Sequence, residues 1–260
     1  MRSWVVTVGA ALLLAGCSEH SAATPPVAKG AGEATGKPAI TAAQIQPDPR
    51  VGAVFLGGGT LHTCTGSVLH STTGDLVLTA AHCLADGLPA TFVPAFENQA
   101  PAADVWTIDR VYLDPRWVAT QDPLADYAIA RVSRAAGGSI ETQSGAALTL
   151  GAAPRAGTTV TVTGYPLGDG GSPLSCQAGT TTAAGGYPSL ACGGLVDGTS
   201  GAPWMSGSTV TGVVGGLDGG GCEESVSYSS PFDDSTARLL ARAEAGGPGD
   251  ASPNSFDSAC

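Results

Sequence analysis

The chain has 260 residues, including 38 Gly and 18 Pro, and a formal net charge of −11. That length suffices for one two-lobed unit of about 200 residues with a substantial core and leaves little room for two unrelated domains. Lys29 and Lys37 are the whole lysine complement, so the basic footprint that neutralises phosphates is missing and nucleic acid is not expected as a partner.

At the N-terminus, Arg2 precedes an apolar run from Trp4 to Ala15. The run is too short to span a bilayer comfortably and fits the hydrophobic region of an export signal. The order Leu14-Ala15-Gly16-Cys17 resembles the lipobox of bacterial lipoproteins. That resemblance implies a signal peptide over residues 1–16, a lipid on Cys17, and a protein held on the outer face of the cell membrane; an ordinary signal with an incidental Cys is the alternative. Residues 17–47, rich in Ala, Pro, Gly and Thr, hold too few large apolar side chains to fold and are predicted to form a flexible tether.

From Val51 the pattern changes to short apolar stretches between turn residues, which predicts an all-β domain over residues 48–243. Val51 to Leu56, Thr65 to Leu69, Asp75 to Thr79, Trp106 to Tyr112 and Tyr127 to Val132 are the predicted strands of a first lobe. Ala135 to Gly145 reads as a crossover, and Ala147 to Leu150, Thr158 to Gly164, Thr209 to Val214 and Val226 to Ser229 supply a second set. Ser235 to Ala243 has a capping start, good helix formers and a Gly pair beyond it, so one C-terminal helix is predicted before an irregular tail, 244–260.

A serine hydroxyl is a poor nucleophile until an imidazole takes its proton, and the imidazole needs a buried acceptor to fix its tautomer. His82, directly after the apolar run Leu76-Val77-Leu78-Thr79-Ala80-Ala81, is the candidate base. A bridge from Cys64 to Cys83 would brace that loop and contribute about 3 kcal/mol in the chain-entropy model. A zinc site on His62, Cys64, His82 and Cys83 is the rival, although its thiolates would have to survive an oxidising compartment. Asp122 precedes Pro123 and suits a turn, whereas Asp126 leads straight into the strand Tyr127 to Val132 and is the candidate orienting acid. In Asp197-Gly198-Thr199-Ser200-Gly201-Ala202-Pro203 the glycines permit a tight turn that gathers backbone N–H groups. Ser200 is the candidate nucleophile, and the N–H groups of Gly198 and Ser200 are the candidate oxyanion donors.

The segments Thr79-Ala80-Ala81-His82-Cys83, Asp126 to Val132 and Gly198 to Pro203, in this order, resemble the trypsin/chymotrypsin family, with similarity over roughly residues 51 to 242. The resemblance implies two six-stranded antiparallel β-barrels with the active site between them, and a serine endopeptidase acting on polypeptides through His82, Asp126 and Ser200. It also implies a bridge of Cys64 with Cys83; Cys176, Cys192, Cys222 and Cys260 allow three pairings by sequence, of which the resemblance implies Cys176 with Cys192, leaving Cys222 and Cys260 to pair. A monomer with no cofactor and no metal is expected.

Two departures modify that expectation. Many members place an Asp before the nucleophile, where it pairs with an amino terminus freed by cleavage; here Thr199 stands there. Arg50-Val51-Gly52 looks like a cleavage site, but Val51 opens a strand and no acid awaits a new amino group, so activity without internal processing is expected. At the base of the specificity pocket the resemblance places Gly194 or Leu195, with Val214, Gly215 and Gly216 as the wall and Val226 narrowing it. None is acidic, which argues against a preference for Arg or Lys and for small or medium apolar residues. Asp218 and the Glu223-Glu224 pair read as solvated loop charge, with reach from the rim to a basic substrate side chain as the alternative. A silent binding module on the same fold and an esterase using the same triad are the competing functions.

Overall fold

The computed structural model describes residues 40–84, 88–223 and 225–253. Its strands are β1 (Ala43–Gln44), β2 (Val51–Leu56), β3 (Leu61–Leu69), β4 (Leu76–Thr79), β5 (Ala90–Pro94), β6 (Trp106–Leu113), β7 (Ala128–Ser133) and β8 (Thr149–Leu150). They continue with β9 (Thr159–Gly164), β10 (Gly168–Asp169), β11 (Leu174–Thr182), β12 (Pro188–Ala191), β13 (Pro203–Ser206), β14 (Thr209–Val213) and β15 (Val226–Tyr228). Three α-helices are present: α1 (Pro115–Thr120), α2 (Ile140–Ser144) and α3 (Asp234–Ala245).

The first lobe is a closed barrel in the order β3-β2-β5-β6-β7-β4, with β4 returning to pair with β3. The second follows β15-β12-β11-β9-β13-β14-β8, and its end strands do not pair with each other, so it is a half-barrel. The two-barrel architecture expected from the sequence therefore holds, with the second barrel left open.

Period-two alternation explains why β2, β4 and β7 read as nearly continuous apolar runs. Val54, Val77, Ala128 and Ala130 point into the first barrel beside Phe92, Trp106 and Trp117. Val51, Ala53, Phe55, Leu76, Leu78 and Ile129 face the other way, into a cluster that includes Tyr165, Met205, Val210 and Val213 of the second lobe. Both faces of these strands are buried, one inside the barrel and one in the seam between lobes. A third cluster, around Val160, Val162, Leu190 and Trp204, fills the half-barrel.

The described residues begin within the stretch predicted to be tether. Ala42 donates its N–H to the Gly193 carbonyl at 2.7 Å and Gly193 returns one to Ile40 at 2.8 Å. β1 then pairs antiparallel with β11, Ala43 opposite Ser175 and Gln44 opposite Leu174. Backbone pairing, and not burial of large apolar side chains, holds these residues, which is why composition did not reveal them. At the other end, Asp233 caps α3 by accepting from Ser235 N–H at 2.7 Å, and Leu239 and Ala243 are buried. The irregular tail stays docked, with the Asp250 carboxylate accepting from Leu113 N–H at 2.7 Å.

Disulfides join Cys64 to Cys83 and Cys176 to Cys192, the chemistry of an oxidising, extracytoplasmic compartment. Cys222 is also disulfide-bonded; its expected partner Cys260, like Cys17, lies outside the described residues. No helix among the described residues is long and apolar enough to cross a membrane. Replacing Cys64 and Cys83 together by Ala is expected to lower the unfolding free energy by about 3 kcal/mol, the chain-entropy value for a loop of this size, as read from urea unfolding under non-reducing conditions.

Candidate active site

His82 lies in a short 3-10 turn, Ala81–Cys83, at the end of β4. Asp126 follows a second such turn, Pro123–Ala125, at the start of β7. Because β4 and β7 are adjacent, with Thr79 opposite Ala128, the residues just beyond the pairing are brought together. The Asp126 Oδ2 lies 2.8 Å from His82 Nδ1, and its Oδ1 accepts from the His82 backbone N–H at 3.0 Å.

The Asp126 carboxylate is wholly buried, and its Oδ2 also accepts from Gly216 N–H at 2.8 Å. Burial opposes its ionisation, but the His82 imidazole and the N–H donors outweigh burial and hold the carboxyl below the usual carboxylate range. Gly215 can be nothing larger, since a Cβ there would sit 2.9 Å from Asp126 Oδ2 and 3.2 Å from its carbonyl oxygen. The Asp126 N–H is fixed from the second lobe by Ser230 Oγ at 3.1 Å, whose own hydroxyl donates to Pro123 O at 2.7 Å. Next along the chain, Tyr127 donates to the buried Asp114 carboxylate at 2.8 Å, and Asp114 also receives Arg116. Asp122 does what its sequence suggested, accepting from Leu124 N–H at 2.9 Å as a turn cap.

Ser200 comes from the loop before β13 and lines a cleft of about 660 Å³ together with His82 and Gly198. The Gly198 backbone has φ +89°, and a Cβ there would fall 2.0 Å from Leu167 N, so only glycine permits this approach. Leu167 N–H donates to Asp197 O at 2.6 Å. In a trans peptide the carbonyl and the following N–H point in opposite directions, so this bond turns Gly198 N–H away from Leu167. Tyr165 and Pro166 belong to the segment that abuts the turn bearing Ser200.

Of the residues expected to shape the pocket, Leu195 and Val214 line this cleft. Gly194, Gly215, Gly216 and Val226 are not among its lining residues: Gly194 backs onto Thr41 and Ala42, the Gly215-Gly216 pair faces Asp126 and Ser230, and the Val226 carbonyl backs onto Gly221. The 3-10 segment Leu217–Gly220 turns the chain away after Gly216, and Asp218, Gly219, Gly220 and Gly221 form that wall instead. Thr63, Leu167 and Val196 also line the cleft, and no motif in the sequence singled them out.

The zinc alternative loses its thiolates, because the Cys64 and Cys83 sulfurs beside His82 are bonded to each other. Arg50 pairs with Asp48 and donates to Gly207 O at 3.1 Å, while Val51 is fully buried in β2. Thr199, buried, turns its hydroxyl onto Val196 O at 2.7 Å.

Residues 64–217, more than half of the chain, match the family described as the trypsin-like peptidase domain. No curated protein matches. Among solved structures, the thermostable serine protease AL20 from an extremophilic microorganism is 22% identical, with a TM-score of 0.67 over 77% of this chain and 99% of that one. The protease Anisep from Arthrobacter nicotinovorans is 24% identical, also with a TM-score of 0.67, over 78% and 99%. Human heparin binding protein has 18% identity and a TM-score of 0.63 over 82% and 100%. At these identities the structures share the fold, and the family match carries the assignment: the chain belongs to the trypsin-like peptidase domain family.

Proposed function

We propose that this serine protease is an exported endopeptidase that cleaves polypeptides through an acyl-enzyme at Ser200. Ser200 Oγ attacks the scissile carbonyl carbon while His82 Nε2 takes its proton, and Asp126 orients the imidazole and stabilises its developing charge. The C–N bond then breaks, the proton passes from His82 to the departing amine, and a water activated by the same imidazole hydrolyses the ester. Gly198 and Ser200 N–H groups receive the oxyanion. The observation that carries this reading is a wholly buried, ionised Asp126 aligned on His82 beside the cleft that Ser200 lines.

A fluorophosphonate is expected to label the native protein, with the adduct mapped to Ser200. No label, or one on another residue, would overturn the assignment. Comparing amide with ester turnover separates peptidase from esterase. The fold shared with human heparin binding protein raises the binding-module alternative, but a net charge of −11 and only two lysines oppose capture of a polyanion.

Leu167, Leu195, Val196 and Val214 on the cleft wall support small or medium apolar residues on the acyl side of the cut, while Asp197 and Asp218 on the same wall keep a basic side chain as the alternative. Thr199 in place of an acid, and Val51 buried in β2, support activity without internal cleavage. The apolar N-terminus and Cys17 support export as a lipoprotein, with residues 1–16 removed and a tether from Cys17 leading into a protease domain that takes in β1 (Ala43–Gln44) and runs through α3.

A further inference from the structure

The turn that carries Gly198 and Ser200 needs its peptides held in one orientation for their N–H groups to converge. In this chain the restraint comes from the opposite lobe. Thr65 of β3 is fully buried, and each of its hydrogen-bonding groups is engaged. Its hydroxyl donates to Gly198 O at 3.0 Å and accepts from Tyr165 N–H at 2.8 Å. Its backbone N–H donates to Ser200 O at 2.8 Å, and its carbonyl accepts from Thr79 Oγ1 at 2.7 Å.

With Leu167 N–H on Asp197 O, three of the four carbonyls from Asp197 to Ser200, those of Asp197, Gly198 and Ser200, are gripped from outside; the Thr199 carbonyl accepts from Ala202 N–H at 2.9 Å within the loop. Thr199 contributes only a local bond to Val196, within the same loop. Thr79 is two residues from Ala81 in the strand that delivers His82, so Thr65 also ties the nucleophile turn to the base-bearing strand.

We propose that Thr65 is a positioning residue for the reaction: its side-chain hydroxyl, bridging Gly198 O and Tyr165 N–H, holds the oxyanion-binding turn in its working shape across the lobe seam. The proposal rests on Ser200 as the nucleophile.

Thr65→Val keeps the shape and removes the hydroxyl, leaving a buried carbonyl and a buried N–H without that partner. Losing one oxyanion donor outright costs about a hundredfold to a thousandfold in kcat. Displacing the turn is expected to lower kcat on a peptide p-nitrophenyl ester by about tenfold to a hundredfold, with KM little changed. The rate of fluorophosphonate labelling and the affinity for a peptide aldehyde, which becomes tetrahedral at Ser200, should fall in step. Thr65→Ser should restore all of these to within about threefold, because the bridging hydroxyl returns.

A Thr65→Val protein that melts earlier but keeps wild-type kcat, labelling rate and aldehyde affinity would overturn the proposal. So would failure of both Thr65→Val and Thr65→Ala to fold, since the hydroxyl would then serve folding alone. If wild type itself resists fluorophosphonate, the Ser200 assignment fails first, a result distinct from equal labelling of wild type and Thr65→Val.

Discussion

Ser200→Ala is expected to lower kcat by about a millionfold, the loss seen when the nucleophile of such a triad is removed, while the melting temperature stays within a degree or two. The fold should be indifferent because the contact tying Ser200 to the first barrel is made by its backbone carbonyl, which accepts from Thr65 N–H at 2.8 Å and survives the substitution. Residual hydrolysis above the uncatalysed rate should persist, since backbone donors and the cleft still bind the substrate. Initial rates of ester and peptide cleavage, with calorimetry on the same samples, test this. Near wild-type turnover by the alanine protein would remove Ser200 from the mechanism.

Asp126→Asn should cost about ten-thousandfold in kcat. Asp126 Oδ2 serves both His82 Nδ1 and Gly216 N–H, and Oδ1 serves His82 N–H. An amide offers only one oxygen, so its NH2 must face at least one of these buried donors. If it faces Nδ1, the imidazole takes the tautomer in which Nε2 carries a hydrogen and cannot accept the serine proton. If it faces the His82 backbone, the tautomer survives but the negative charge that stabilises the imidazolium is gone.

The same carboxylate sets an acid limit. Its folded-state pKa is depressed below the ordinary value of 3.8, so its contribution to stability is fully present above that value and is lost as pH falls below it through the folded-state pKa. Acid unfolding of Asp126→Asn should lack this component. An acid-unfolding curve matching wild type, or kcat within about tenfold of it, would show that Asp126 is not the orienting acid.

His82, Asp126 and Ser200 stand out as candidates in the sequence because their local contexts are unusual. Few ordinary surface loops put His after a fully apolar strand, Asp at the mouth of another, and Ser between glycines. The choice of Asp126 over Asp122 followed from the proline that commits Asp122 to a turn, and the structure uses Asp122 as that turn's cap.

What the sequence concealed are contacts made by backbone atoms or by residues of unremarkable type. Gly216 acts through its N–H, Ser230 through a hydroxyl bridging Pro123 and Asp126, and Thr65 resembled any strand threonine. Gly219 to Gly221 were not expected along the cleft, because the Leu217–Gly220 turn redirects the chain and no alternation of polarity announces that. Among strands, β11 was missed because its inward positions, Cys176, Ala178 and Thr180, are small or polar. β5 and β13 were missed because they are short and flanked or opened by proline.

β11 pairs with β9 along Leu174 to Gly179 and with β12 only at Thr180 to Thr182. Its side facing β12 would therefore leave backbone donors and acceptors open over its first half. β1 occupies that opening at Leu174 and Ser175. A bare strand edge is a template for pairing with a second molecule, so these few residues act as a guard against self-association, and a variant trimmed to begin at β2 would trade that guard for a sticky flank.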